Sequence, residues 1–162
     1  MTFKHANIVE FNIPGEESLG STKEDFLTLT KLLKKYAPHD GDFEIDDTKT
    51  FVVRTSKIIK EYTHTMSVPG LCIVPQGAKT VSLAQGDFEY DESKMVVYAA
   101  SIPINVKVTR ASVDEPYLCL VIPFCPQRLA QLILKVFPNG LPKTAIPNAV
   151  YIAETSHKII KS

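Results

Sequence analysis

Ile104-Asn105-Val106-Lys107-Val108-Thr109 alternates apolar and polar residues without a break, and shortly after it Tyr117-Leu118-Cys119-Leu120-Val121-Ile122 is apolar throughout. Successive side chains of an extended strand point to opposite faces. The first stretch therefore predicts a strand with Ile104, Val106 and Val108 on a core and Asn105, Lys107 and Thr109 in water. The second predicts a strand covered on both faces, running between a barrel interior and a packed helix. Outward from this pair, residues 43–124 read as short strands cut by turn residues. Ala84-Gln85-Gly86-Asp87 supplies the turn of a hairpin joining residues 80–83 to 88–90, and Asp91-Glu92-Ser93 turns the chain again. With no helices between the strands, the expected topology is an antiparallel sandwich or barrel rather than a Rossmann-like parallel sheet.

Helices are expected on either side of this region. Ser21-Thr22-Lys23-Glu24 has the spacing of a capping box, in which a hydroxyl takes an orphan amide and the glutamate reaches back to the cap. Residues 22–36 are predicted to be helical, with Phe26, Leu29, Leu33 and Tyr36 forming the apolar stripe. Lys31, Lys34 and Lys35 lie largely off that stripe and read as a solvated face rather than a phosphate site. Pro38 and Asp40-Gly41 end the helix. Pro126 opens a second helix in which Leu129, Leu132, Ile133 and Val136 recur at helical spacing, and Pro138-Asn139-Gly140 stops it. Its single apolar face has two open roles, as a cover for the barrel or as half of a dimer interface. Pro142 and Pro147 mark a connector to the tail His157-Lys158-Ile159-Ile160-Lys161-Ser162, too short to hold a helix alone.

The 162 residues suit one domain, and 44% hydrophobic with 22% charged residues excludes disorder and coiled coil. Lys plus Arg (18) equals Asp plus Glu (18), so the chain has no positive field with which to hold DNA by itself. No signal peptide is visible, and the apolar run from Tyr117 stops at Pro126, well short of the about 20 residues a membrane helix needs. A soluble, cytoplasmic protein with no membrane partner is expected. Cys72, Cys119 and Cys125 are odd in number and lack C-x-x-C spacing, which fits reduced thiols. Cys72 and Cys119 sit inside apolar strands and read as inert, and Cys125, just before a helix, reads as filling core space. His5, His39, His64 and His157 are isolated, without H-x-H or H-E-x-x-H spacing, and G-x-S-x-G, P-loop and G-x-G-x-x-G motifs are missing. No catalytic residue, metal site or cofactor is expected.

Val68-Pro69-Gly70-Leu71-Cys72-Ile73-Val74-Pro75-Gln76-Gly77-Ala78-Lys79 resembles the most distinctive stretch of the N-terminal domain of AraC-type transcriptional regulators, where a strand leads into a Gln-Gly-x-Lys turn. The likeness continues in order through Phe88-Glu89-Tyr90-Asp91, Ile102-Pro103, Ala111-Ser112, Glu115-Pro116-Tyr117-Leu118 and the Arg128-Leu129 helix. Upstream, His39-Asp40-Gly41 and Phe51-Val52-Val53-Arg54 also fit, so it covers residues 21–145, leaving 146–162 as a tail or shortened helix. Two departures stand out: Pro75 interrupts a strand the family keeps apolar, and Ser101 stands where an acidic residue often precedes the Leu/Ile-Pro pair. The resemblance implies a mainly β, cupin-like double-stranded β-helix (jelly-roll barrel) with helices at its N- and C-terminal ends, a single sensor and dimerisation domain over residues 1–162. It further implies a small-molecule effector, a homodimer, and contact with DNA only through a C-terminal helix-turn-helix domain that these residues do not include. The inward candidates for ligand binding are Cys72, Val74, Tyr98, Val106 and Cys119, with Tyr98 offering a hydroxyl. Two other functions stay open, a small cupin-like metal enzyme of isomerase type and a non-catalytic interaction scaffold.

Overall fold

The computed structural model describes residues 9–10, 23–84, 86–141, 149–155 and 160. In chain order the elements are β1 (Val9–Glu10), α1 (Lys23–Tyr36), β2 (Gly41–Glu44), β3 (Phe51–Thr55), β4 (Thr63–Met66), β5 (Gly70–Gln76) and β6 (Ala78–Leu83). They continue with β7 (Gly86–Tyr90), β8 (Lys94–Tyr98), β9 (Pro103–Arg110), β10 (Tyr117–Pro123), α2 (Pro126–Val136) and β11 (Val150–Glu154). The strands form a seven-stranded sheet in the order β1-β11-β8-β5-β10-β3-β2 and a four-stranded sheet in the order β4-β9-β6-β7. Every pairing is antiparallel except that of β1 with β11. Among the described residues no strand pairing joins the two sheets, so the closed barrel expected from the sequence is here two sheets with free edges. Closure needs hydrogen bonds between edge strands, and the edges are short: β2 and β4 have four residues each and β1 two.

One buried cluster draws on both sheets, from Cys72, Val96 and Cys119 on the large one to Val81, Ile104 and Val108 on the small one, so the sheets pack face to face. β10 lies inside the large sheet, and its residues alternate as the apolar run predicted. Tyr117, Cys119 and Val121 face the small sheet, while Leu118 joins Leu33, Ala37 and Val52 beneath α1. The seated side of α1 differs from the expected stripe. It runs through Phe26, Leu29, Thr30, Leu33 and Ala37, and Tyr36 is 43% exposed. The cause is at the helix end, where the Ala37 amide still bonds to Leu33 O (2.9 Å) and Arg54 Nη1 donates to Ala37 O (2.8 Å), holding this small residue against β3. Lys34 Nζ donates to Asp114 O at 3.2 Å, and Lys31 and Lys35 point to solvent. Ser21 and Thr22 of the capping box lie outside the described residues.

Pro75 is absorbed by an irregularity. β5 pairs with β10 through Leu118↔Gln76 and Leu120↔Ile73 with a bulge between, and with β8 only as far as Ile73. The proline falls in that break, where its missing N–H deletes no ladder bond. Ser101, the other departure, donates through Oγ to Ser67 O at 3.1 Å. Ser67 is itself buried, donating to Ala100 O (2.8 Å) and accepting from the Ile102 amide (3.0 Å). Ser67→Ala leaves both backbone groups short of a partner and should cost about 1–3 kcal/mol, read as a lower urea midpoint at unchanged slope.

The segment read as connector and tail contains a strand. β11 runs beside β8 from Val150↔Tyr98 to Glu154↔Lys94, burying Val150 and Ile152 on the inner face and Ala153 on the outer. Its signal was the β-branched and aromatic run Val150-Tyr151-Ile152 just after Pro147. The tail residues 157–162 lie outside the described residues apart from Ile160. Cys125 occupies the N-cap position of α2, whose first turn holds Pro126, and is exposed rather than core-filling, because it stands at the strand-to-helix corner with Sγ 3.3 Å from Gln127 Oε1. α2 itself buries none of its residues.

Candidate functional site

The sequence candidates converge between the sheets. Cys72 and Val74 on β5, Tyr98 on β8 and Cys119 on β10 belong to the shared buried cluster, and Val106 on β9 packs against it from the facing sheet. Two further tyrosines join them, Tyr117 at the start of β10 and Tyr90 at the end of β7, the latter with its ring stacked on Phe88 at 5.9 Å between centroids. Neither was among the sequence candidates. The alternation Phe88-Glu89-Tyr90 carried the signal for one, and the first residue of the apolar run was the other.

The hydroxyls of Tyr98 and Tyr117 are shut away from solvent and have no hydrogen-bond partner. Tyr90 lies beside both of them and Cys119 beside Tyr117, near enough to act on each hydroxyl electrostatically but outside hydrogen-bond geometry. An unmade hydrogen bond at a buried polar group costs about 1–3 kcal/mol, so two orphans in one place mark a site where something else is meant to bind or a cost is tolerated. Burial, with Cys72 and Cys119 adding to it, pushes all three phenols well above their ordinary range, against a smaller downward pull of Tyr90 on Tyr98 and Tyr117, so they stay protonated donors. The Cys72 thiol is also held up, first by its contact with Cys119 and then by burial; of the pair Cys119 ionises first, since the Cys72 proton is there to share. Asp25 is the one buried charged side chain among the described residues, and it lies on α1, outside this interior. The cluster can hold and orient a neutral molecule by donated hydrogen bonds between apolar walls.

A second concavity, about 690 Å³, opens where α1 overhangs the strand ends and is lined among others by Lys23, Phe26, Gln76, Glu92, Arg110 and Glu154. Within it Arg110 is ion-paired with Glu92 and also donates to Gly77 O at 3.1 Å. Arg110 thus has its partners, whereas the two interior hydroxyls have none, so the interior is the stronger candidate. His39 meets Phe43 edge-on at 4.8 Å and His64 bonds to the Asn105 side chain, while His5 and His157 lie outside the described residues. Among the described residues no three His, Cys, Asp or Glu side chains are grouped to hold a metal ion, and no helix is long and apolar enough to cross a membrane.

Residues 49–162, from just before β3 past the end of β11 and including every member of the interior cluster, match the family model described as the AraC-type transcriptional regulator N-terminus. No curated protein and no solved structure matches the chain.

Proposed function

The chain belongs to the AraC-type transcriptional regulator N-terminal family, and from that premise we propose that it is the effector-sensing and dimerising part of a cytoplasmic regulator, without catalysis of its own. DNA is then reached only through a C-terminal helix-turn-helix domain. The two packed sheets are read as a cupin-like jelly roll left open at its short edge strands, with Cys72, Val74, Tyr98, Val106 and Cys119 among the residues lining the effector site. The observation that carries this reading is the pair of unpartnered hydroxyls, on Tyr98 and Tyr117, inside an otherwise apolar interior. A sensor works by binding its ligand better in one arrangement than another, so that occupancy shifts an equilibrium elsewhere.

The elsewhere is best served by α2. Leu132 and Val136 of its apolar stripe are 55% and 57% exposed, and Leu134 is 71% exposed. An amphipathic helix with its apolar face in water is a surface awaiting a partner, and a second copy of the same helix is self-complementary. Replacing Leu132 and Val136 together by glutamate should turn a dimer into a monomer in sedimentation equilibrium. Because both side chains are exposed, the melting temperature of the monomer should stay within about 2 °C of the parent. A parent chain that is monomeric throughout would remove the dimer from the proposal. For sensing, an effector at a hundred times its Kd adds about 2.7 kcal/mol, a rise of roughly 5–11 °C for a domain of this size; a metabolite screen by thermal shift reads it.

A further inference from the structure

We infer that the effector is a small, uncharged, mostly apolar molecule carrying one or two carbonyl or ether oxygens, and that the hydroxyls of Tyr98 and Tyr117 donate hydrogen bonds to those oxygens. This rests on the interior-site reading above and adds the chemistry of the occupant.

Three observations narrow it. First, the two free donors are known. Tyr98 is 3% and Tyr117 1% exposed, they come from β8 and β10 of the same sheet, and each hydroxyl stays outside hydrogen-bond geometry with its neighbours, Tyr90 at both and Cys119 at Tyr117. A molecule with acceptor oxygens satisfies both. Second, charge has no counterpart inside. Among the described residues the one buried side chain that carries a formal charge, Asp25, lies on α1, while Lys79 and Asp42 act on Cys119 with opposite signs. A carboxylate or ammonium would be stripped of water with nothing to replace it, which proteins avoid. Third, the polar inventory is short. Three phenols and two thiols stand among Val74, Val81, Phe88, Val96, Ile104 and Val121. A sugar, with a hydroxyl on nearly every carbon, would leave most of its own groups unpaired against those walls.

The test has two arms. In the free 162-residue chain, Tyr98→Phe and Tyr117→Phe each remove a polar group that nothing holds, so the melting temperature should stay level or rise. A fall of several degrees in both would show the hydroxyls already satisfied, and the inference fails. In the second arm the chain is titrated with acetophenone and cyclohexanone, with benzoate and benzylamine as charged analogues, and with glucose. The neutral ketones should bind saturably, each Tyr→Phe change weakening them about tenfold, equal to about 1.4 kcal/mol, while the other probes leave the protein unmoved. Tyrosine-dependent binding of benzoate, benzylamine or glucose would keep the interior site and overturn its chemistry. Ketone binding that both variants retain in full would overturn the interior-site reading itself, and failure of every probe up to millimolar concentration would overturn the proposed class.

Discussion

Raising the pH should unfold the domain between about pH 10 and pH 12 in one steep step. Tyr90, Tyr98 and Tyr117 titrate near 10.0 when free and are pushed well above that by burial in the folded protein, and the Cys72 thiol, ordinarily near 9.0, is pushed up by Cys119 and by burial. These groups therefore keep their protons when folded and lose them when unfolded. Their stabilisation is whole below the unfolded values and drains away as the pH climbs past them. Each group past its unfolded value contributes about 1.4 kcal/mol per pH unit, so the four together remove about 5 kcal/mol per unit from a total of about 5–15 kcal/mol. Circular dichroism and tyrosinate absorbance should change together. Tyrosinate forming in full while the β signal persists would show that the three phenols are not enclosed. The acid side should be gentler. Asp40 is held below the ordinary carboxylate range, first by the Ser56 hydroxyl 2.7 Å away, so its contribution is present above the unfolded value and lost as the pH falls through the folded one, but it is largely exposed and screened.

Gly77→Ala should be strongly damaging for so small a substitution. Gly77 joins β5 to β6 at φ +88°, and a Cβ there would lie 2.7 Å from both Arg110 O and Tyr117 Cα. Both obstacles are backbone, so neither can swing aside. The left-handed conformation costs a side chain about 1–2 kcal/mol and overpacking about 1–3 kcal/mol, which together predict a melting temperature lower by roughly 5–20 °C. Gly140→Ala isolates the first contribution, since Gly140 has φ +97° with nothing within 4 Å of the added carbon. The two variants melting alike would mean that β10 does not press on the Gln76-Gly77 turn. This also explains why that turn is the most recognisable stretch of the chain: its glycine is fixed by a close approach to the strand that presents Tyr117.

Strand alternation was legible where a run is long enough to show its period. Residues 104–109 announced their faces, and residues 117–122 announced that both of theirs are covered. Tyr90, Tyr98 and Tyr117 all stand at strand ends, where a one-residue slip exchanges the faces, and only Tyr98 was picked out. β11 was hidden behind two prolines and gains its place only by pairing with β8, a partner about fifty residues earlier in the chain. Whether the sheet closes depends on hydrogen bonds between distant edges, and whether α2 is covered depends on what its apolar face meets; local periodicity speaks to neither. The orphaned hydroxyls are the same kind of fact. Composition shows six tyrosines, but only packing tells which of them has no partner.

Solution NMR of the chain, isotope-labelled at the tyrosine ring carbon that bears the hydroxyl, asks most directly whether the space between the sheets is a ligand chamber. Titration with a neutral ketone that raises the melting temperature should move the resonances of Tyr98 and Tyr117 saturably, each assigned by its Phe substitution, and leave the exposed Tyr36 and Tyr62 in place. Saturable binding that shifts Tyr36 or Tyr62, or no tyrosine at all, would put the ligand outside the two sheets and contradict the assignment.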